Sequence, residues 1–325
     1  MSAHARNLVA IRQPDNSDRA IETAYNQAGD KYIAYADGDP TQLYAFDGQY
    51  AYGDRCIWET LFARLCSLRA SGARTISILD MGCGPGTWLR RVVARARAVG
   101  FRSIVARGFD LAGEQVRRAR ELSADLAGLP GVKLTFEIGD IHEPLPEADA
   151  SVDLCLCLCG VLNHLPAKDL PAVFAEVSRV TRGTFITTAR TIGSTPSVYV
   201  DEIRQARQFR QDNRNNRLDV EFQNGRHISL PSHLFSAAEL RSLISPHFEI
   251  EDLCGIDLFH ARFSGDPRWN PPGIDIDGRF SGELDQLERQ YCRDEGFVDH
   301  ATHLLLVGRS RKAASASNGR ARWRP

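Results

Sequence analysis

The chain has 325 residues, of which 43% are hydrophobic and 25% are charged, and this ordinary globular composition argues against disordered, collagen-like and coiled-coil chains. Forty basic and 41 acidic residues leave a net charge of −1, so no overall basic field favours nucleic acid as a partner. The sequence has no apolar run long enough to span a bilayer and no signal-peptide pattern at its start, so it predicts a cytoplasmic protein without a membrane partner.

Predicted helices and strands alternate through the first half of the chain. Asp54 is a candidate N-cap for a helix whose apolar residues recur at helical spacing and which ends at Gly72. Apolar segments that predict strands follow at 75–82, 103–111, 132–140, 152–160 and 184–190, with helical patterns between them. This alternation predicts an α/β fold with a doubly wound parallel sheet covered by helices on both faces.

The second half departs from this alternation. Its predicted elements are a charged helix at 196–216, a hairpin at 218–230, a strand at 247–256, a helix near 281–294 and a strand at 303–309. Asn224 and Gly225 are typical of the hairpin turn, and Ser236 with Glu239 has the pattern of a capping box. The segment 257–280 has no clear period, which is typical of a functional loop.

The eight cysteines include no CxxC pair. Cys155, Cys157 and Cys159 alternate within the apolar segment at 152–160, and every second side chain of a strand lies on one face. We therefore predict small buried side chains on a central strand rather than a metal cluster.

The most specific feature is the sequence LDMGCGPG at 79–86, between a predicted strand and a predicted helix. Its three glycines permit a sharp turn and the close approach of a ligand, and the following helix offers unpaired amides to an anion. Asp110 and Asp140 end the next two strands, at the edge where open α/β sheets bind ligands. A carboxylate at the first position suits ribose hydroxyls, and one at the second suits an adenine amino group.

These motifs, together with SVDLCLCLCGVLNHLP at 151–166, resemble in their order those of class I S-adenosylmethionine-dependent methyltransferases over roughly residues 20–310. The resemblance implies a Rossmann-like, seven-stranded sheet whose last strand, here 303–309, is antiparallel, and it implies S-adenosylmethionine as the cofactor. The cofactor-binding residues that it implies are Tyr32, Asp80, Gly82, Gly84, Gly86, Asp110, Leu111, Asp140, Ile141, Cys157 and Cys159.

The same resemblance suggests how the chain is divided. The expected segments are a flexible N-terminus at 1–16, a helical lid at 17–72, a methyltransferase domain at 73–310 with insertions at 192–235 and 257–296, and a disordered tail at 311–325. The insertions would carry the hairpin and helical elements that bind the acceptor.

Two other classes compete with this interpretation. An NAD-dependent oxidoreductase would have a third glycine of its fingerprint where this chain has Thr87. A nucleotide-binding module without catalytic activity is the second alternative.

Two kinds of side chain are candidates for the reaction centre. Tyrosines at 25, 32 and 35 could surround a sulfonium cation, with Tyr32 as the preferred lid residue, or they could pack on the core as part of an amphipathic helix. His164 follows the fourth strand and is the candidate general base, because imidazole titrates near neutral pH, although a packing role is the alternative. A base is needed only where the acceptor atom carries a proton.

The insertions supply candidates for the acceptor pocket. The predicted substrate-binding residues, which would form a partly aromatic pocket with a cationic wall, are Arg190, Arg226, His227, Phe259, His260 and Trp269. The alternative is that they are surface arginines and aromatic residues packed under a loop. The sequence thus predicts methylation of N or O of a small molecule in secondary metabolism, and it leaves the acceptor and the oligomeric state open.

Four histidines raise the alternative of a metal-assisted C-methyltransferase of a keto acid. If His164, His227, His233 and His260 converged, they could hold Zn or Fe and polarise an enol. Because none of the four shows HxH or HxxH spacing, the sequence predicts no metal site.

Overall fold

The computed structural model describes residues 18–27, 41–46, 50–194, 206–263 and 278–311. The strands are β1 (Thr75–Met81), β2 (Ser103–Asp110), β3 (Val132–Ile138), β4 (Val152–Cys157), β5 (Thr181–Arg190), β6 (Ala206–Asp212), β7 (Arg217–Phe222), β8 (His227–Pro231), β9 (Phe248–Ile256) and β10 (His303–Ser310). The helices are α1 (18–27), α2 (Ala51–Ala70), α3 (Thr87–Ala98), α4 (Gly113–Leu122), α5 (Ala124–Ala127), α6 (Leu170–Val180), α7 (Ala237–Ile244), α8 (His260–Phe263) and α9 (Arg279–Tyr291), with 3₁₀ turns at Val161–His164 and Val298–His300.

Seven strands form one sheet in the order β3-β2-β1-β4-β5-β10-β9. All neighbouring pairs are parallel except those of β10, which is antiparallel to both β5 and β9. The predicted α/β, Rossmann-like, seven-stranded fold with an antiparallel last strand is confirmed. The strand order reverses between β1 and β4, so a crevice is expected at the carboxyl ends of these two strands.

Apolar layers cover both faces of this sheet. Leu154 and Leu156 of β4 pack toward α2, α3 and α4, whereas Cys155 and Cys157 pack toward α6 and α7. Both cysteine side chains are wholly buried, so the prediction of small buried residues is confirmed for them. Strand β4 ends at Cys157 rather than at residue 160, and Cys159 follows with a φ of +59°.

A separate three-stranded sheet, β6-β7-β8, contains the predicted hairpin. The turn closes as expected, with Gly225 N donating to the Phe222 carbonyl at 2.9 Å. The helix predicted at 196–216 is wrong over 206–212, because these residues pair with β7 as an antiparallel strand, and 195–205 lie outside the described residues. The inner face of this sheet packs on apolar residues of α1.

Two helix starts test the capping predictions. The Ser236 hydroxyl accepts a hydrogen bond of 3.1 Å from Glu239 N, as the capping-box pattern predicts. The Asp54 prediction is wrong, because α2 begins three residues earlier at Ala51, with Tyr50 at the N-cap. Among the described helices, none combines the length and the apolar character needed to cross a bilayer.

Candidate functional site

A cleft opens where the strand order reverses. It holds about 790 Å³ of empty space, counting the part open to solvent. The residues of its wall that the sequence had singled out are Tyr25, Gly82, Gly84, Asp110, Leu111, Asp140, Ile141, Cys159 and His164. The loops after β1, β2, β3 and β4 therefore meet in one place.

The glycine loop after β1 forms one side of the cleft. Gly82 has a φ of +67°, and a Cβ atom there would lie only 2.4 Å from Val161 Cγ2 of the loop after β4. Gly86 has a φ of +80° and ends the loop as the N-cap of α3, but a Cβ atom there would meet the Phe136 ring at 2.9 Å. Gly86 thus faces the packing between the sheet and its helices, whereas Gly82 lies in the cleft wall.

Asp110 fastens the loop after β2 to the glycine loop. Its Oδ2 accepts a hydrogen bond of 2.8 Å from Gly84 N, and its Oδ1 accepts one of 2.9 Å from Ala112 N. Burial raises the pKa of this carboxyl group, and the backbone N–H donors oppose that rise. Because each carboxylate oxygen accepts up to two hydrogen bonds, both oxygens retain capacity for ribose hydroxyls.

Asp80 lies beneath the glycine loop rather than in the cleft wall. It is 2% exposed, and none of the described residues gives its Oδ2 a hydrogen-bond partner. Burial, and then the charge of Asp110, raise the pKa of Asp80 to about 8. A buried acid of this kind is stabilised as the carboxylate by a nearby cation, which fits a ligand with an ammonium group.

Asp140 and its neighbour His142 follow β3 and line the cleft. His142 Nδ1 lies 2.7 Å from Asp140 Oδ1, and the His142 backbone N–H donates to the same oxygen at 2.9 Å. On its other side, His142 Nε2 lies 3.7 Å from Asp169 Oδ2 at the start of α6. The imidazole therefore lies between two carboxylates and also lines the cleft.

The far end of the cleft holds a tyrosine–histidine pair. Tyr25 Oη lies 2.9 Å from His164 Nε2, and His164 Nδ1 lies 3.0 Å from the Pro231 carbonyl oxygen. Since a carbonyl only accepts, Nδ1 carries the proton and neutral Nε2 accepts from the Tyr25 hydroxyl. Burial, with the charge of Arg190 adding to it, lowers the pKa of His164 below its usual value, while the Pro231 contact opposes this.

The structure also brings to the cleft residues that the sequence reasoning did not select. From α1 and α4 come Asp18, Ile21 and Gln115, and from the loops come Phe109, Gly139, His142, Leu158, Val161 and Leu165. The positions 18, 21 and 25 recur at helical spacing and therefore share one face of α1, which is a signal that could have identified them. Tyr32, the preferred lid residue, lies outside the described residues.

Besides Asp80, two of the described cofactor candidates are not in the cleft wall. The side chain of Cys157 is wholly buried on the α6 face of the sheet, so its expected contact with the cofactor is corrected. Cys159 does line the cleft, with its Sγ 3.3 Å from Trp88 Nε1 and its N–H donating to Thr188 Oγ1 at 2.7 Å. Gly86 is the second candidate outside the wall, because it faces the packing between the sheet and its helices.

The predicted acceptor residues do not form one pocket. Arg190 is buried at the end of β5, while Arg226 packs over Phe222 on the hairpin and His227 is exposed beside it. Phe259 and His260 lie beyond β9. Trp269 is outside the described residues.

Phe259 and His260, beyond β9, each contact another side chain. Phe259 packs against Phe263 with ring centroids 6.4 Å apart, and His260 Nε2 lies 2.6 Å from Asp285 Oδ1. The single pocket expected from these residues is therefore corrected, because the packing of the two insertions separates them. Arg190 lies beside the loop that carries His164, since its backbone N–H donates to Asn163 Oδ1 at 2.8 Å and its charge contributes to lowering the pKa of His164.

The four histidines of the metal alternative are held by different partners. His233 Nε2 lies 2.8 Å from Glu239 Oε1, and His260 contacts Asp285. His164 contacts Tyr25 and Pro231, and His227 Nε2 lies 3.9 Å from Asp219 Oδ1. Within the described ranges, no three histidine, cysteine or acidic side chains meet in a way that could hold a metal ion.

Comparison with known proteins identifies the central segment. Residues 78–184 match the family model described as a methyltransferase domain. A segment of 106 residues is 41% identical to an uncharacterized 37.1 kDa protein in transposon TN4556 of Streptomyces fradiae, covering 33% of this chain and 27% of that protein. A segment of 128 residues is 32% identical to the probable methyltransferase ltbC of Aspergillus luteorubrus, covering 37% of this chain and 41% of that protein. The matches thus span less than half of either relative.

Two solved structures share the fold over nearly the whole chain. The CcbJ methyltransferase from Streptomyces caelestis has a TM-score of 0.51 at 14% identity, with 89% of this chain and 98% of that chain covered. The [4+2]-cyclase SpnF has a TM-score of 0.52 at 17% identity, with 91% and 98% covered. These likenesses show the fold, and one of the two proteins is a cyclase, so the activity must be argued from the site. The matched domain at 78–184 and the strand order of the sheet are consistent with a class I S-adenosylmethionine-dependent methyltransferase.

Proposed function

We propose that this protein transfers a methyl group from S-adenosylmethionine to a nitrogen or oxygen atom of a small-molecule acceptor. One observation carries the proposal: a single cleft joins the glycine loop, Asp110 and Asp140 to the Tyr25–His164 pair. The first three suit the nucleoside and amino-acid parts of the cofactor, and the pair suits proton removal from an acceptor.

The residues of the cleft fit this cofactor chemically. Asp110 and Leu111 would hold the ribose, Asp140 and Ile141 would lie at the adenine, and the loop at Gly82 and Gly84 would lie against the methionyl part. The buried Asp80 beneath that loop favours an ammonium group nearby. When bound, the cofactor supplies an electrophilic methyl group on a sulfonium.

His164 is the proposed general base. Its Nδ1–H is held by the Pro231 carbonyl, so Nε2 is the atom that accepts a proton. Its lowered pKa keeps the imidazole neutral at pH 7, which is the form a base requires. The acceptor proton would reach Nε2 through the Tyr25 hydroxyl, which would pass its own proton to Nε2 and take the proton of the acceptor as the acceptor atom gains the methyl group. The cleft would hold the reacting atoms in line.

The closure of the cleft favours a small acceptor. Helix α1 covers it and is itself covered by the three-stranded sheet, whose Val220 and Phe222 pack on Ala24. A polymer would have to displace these elements to reach the Tyr25–His164 pair. A role in secondary metabolism and a cytoplasmic location are part of the same proposal.

Titration calorimetry is the first test. We expect heat of binding with S-adenosylmethionine and S-adenosylhomocysteine and none with NAD; the reverse pattern would overturn the proposal. The second test incubates the protein with methyl-tritiated cofactor and pooled small molecules bearing amine, hydroxyl or carboxyl groups. Label in an N- or O-methylated product is expected, whereas label found only at carbon would contradict the proposed acceptor atom.

A further inference from the structure

Helix α1 is fastened over the cleft by reciprocal hydrogen bonds with α4. Gln115 Nε2 donates to the Tyr25 carbonyl oxygen near the end of α1, at 2.9 Å. In return, Asn26 Oδ1 accepts from Glu114 N in the first turn of α4, also at 2.9 Å. Residue Ala112 at the N-cap of α4 has no side-chain oxygen, so the lid helix supplies the acceptor that the N-terminus of α4 lacks.

The orientation of the Gln115 amide follows from its partner. The Tyr25 carbonyl can only accept, so the nitrogen of the amide must face α1 and the oxygen must face away from it. Gln115 lines the cleft and is 1% exposed, and no partner for its Oε1 is found in the part of the chain that the structure describes. An acceptor buried without a donor destabilises the state that buries it.

We propose that Gln115 is a positioning residue that couples the bound nucleoside to closure of helix α1. Its Oε1 accepts a hydrogen bond from a donor of the nucleoside, while its Nε2 holds the Tyr25 carbonyl. Closure over an empty cleft leaves the oxygen without a donor, and closure over the ligand satisfies both ends of the amide. The inference rests on the proposed function, because the nucleoside is that of the cofactor.

The test measures how fast S-adenosylhomocysteine leaves the full chain, by surface plasmon resonance. Gln115→Glu keeps an oxygen for the nucleoside but removes the donor to Tyr25, Gln115→Met removes both interactions, and Asn26→Ala removes the second fastening. Gln115→Glu and Asn26→Ala should each raise the dissociation rate about fivefold to tenfold with little change in the association rate, since each loses one hydrogen bond worth about 1 kcal/mol. Gln115→Met, which loses two, should raise it about thirtyfold. Gln290→Glu, at an exposed position on α9, is the matched control and should leave both rates unchanged.

Hydrogen exchange distinguishes the proposed coupling by Gln115 from a merely structural role of this residue. In the wild type, S-adenosylhomocysteine should slow hydrogen exchange of the amides of 18–27. In Gln115→Met this protection should be lost, while the amides of the seven-stranded sheet should exchange as slowly as in the wild type. If the wild type binds the ligand but all three variants keep its dissociation rate and its protection, the coupling is wrong and the proposed function stands. If the wild type binds no S-adenosylhomocysteine, the proposed function itself fails.

Discussion

The hydroxyl of Tyr25 donates a 2.9 Å hydrogen bond to Nε2 of His164, a residue 139 positions later in the chain. On the opposite side of the ring, the Pro231 carbonyl accepts from Nδ1 at 3.0 Å. Three elements therefore fix one imidazole: helix α1, the loop after β4 and the three-stranded sheet. This arrangement selects the neutral tautomer with its lone pair directed at α1 and the cleft.

Replacement of His164 tests the proposed base. His164→Ala should lower kcat by about 10²–10⁴-fold for an acceptor that loses a proton. In the wild type, the rate should rise with pH through the lowered pKa of His164 and be level at pH 7–8, because burial favours the neutral imidazole. The measurement is a pH–rate profile with the acceptor found in the label-transfer assay.

The control for this variant is His227→Ala, at an exposed position on β8. It should leave the profile unchanged. An equal kcat for His164→Ala and wild type across the pH range would exclude His164 as the base and leave it a packing role.

Tyr25→Phe tests the partner of that imidazole. The Tyr25 hydroxyl donates to the neutral form of His164 and so stabilises that form. Removing the hydroxyl should therefore raise the pKa of His164, and the acid limb of the pH–rate profile should move to higher pH. NMR titration of the histidine ring protons measures the same shift without an acceptor. A pKa that stays the same or falls in Tyr25→Phe would mean that the contact does not stabilise the neutral ring.

Asp80 should make cofactor binding depend on pH. With a pKa of about 8, the free protein holds Asp80 mostly protonated at pH 7. An ammonium group nearby favours the carboxylate, so binding should release a proton at pH 7 and the affinity should increase as the pH rises toward 8. Titration calorimetry in buffers with different ionisation enthalpies measures the released proton.

Asp80→Asn is the matched variant for this effect. It keeps the shape of the side chain but cannot ionise, so its binding should release fewer protons and lose the increase in affinity between pH 7 and 8. Proton release equal to that of the wild type would show that another group titrates on binding.

The parts of the fold that sequence reasoning predicted are those set by local patterns. Each strand is predicted from its own apolar run, and the glycine loop and the acids at 110 and 140 each lie at or just after the end of such a strand. They meet in space because parallel strands end at one edge of the sheet. The capping box at Ser236 is local in the same sense. Even so, the helix predicted over 206–212 is wrong. This segment is strand β6, and its pairing with β7 depends on a partner that local patterns do not show.

The parts that were missed depend on long-range packing. Tyr25 reaches His164 only because the three-stranded sheet presses α1 onto the cleft, and Gln115 acquires its role only through α1. The predicted acceptor residues separate because α9 and the hairpin hold them in different places. No spacing in the sequence encodes these contacts, although the shared face of positions 18, 21 and 25 is visible once a helix is assumed.

His142 should determine how strictly the site selects adenine. Its imidazole Nδ1 lies 2.7 Å from Asp140 Oδ1 and orients the carboxylate that we propose lies at the adenine amino group. We expect His142→Ala to weaken S-adenosylhomocysteine binding about tenfold and S-inosylhomocysteine binding much less, because hypoxanthine has a carbonyl in place of the amino group and gains nothing from Asp140. Calorimetry with both ligands gives the two ratios, and His142→Asn, which can still donate to Asp140, should restore part of the difference. Equal weakening for the two ligands would mean that His142 supports the loop after β3 without influencing the choice of base.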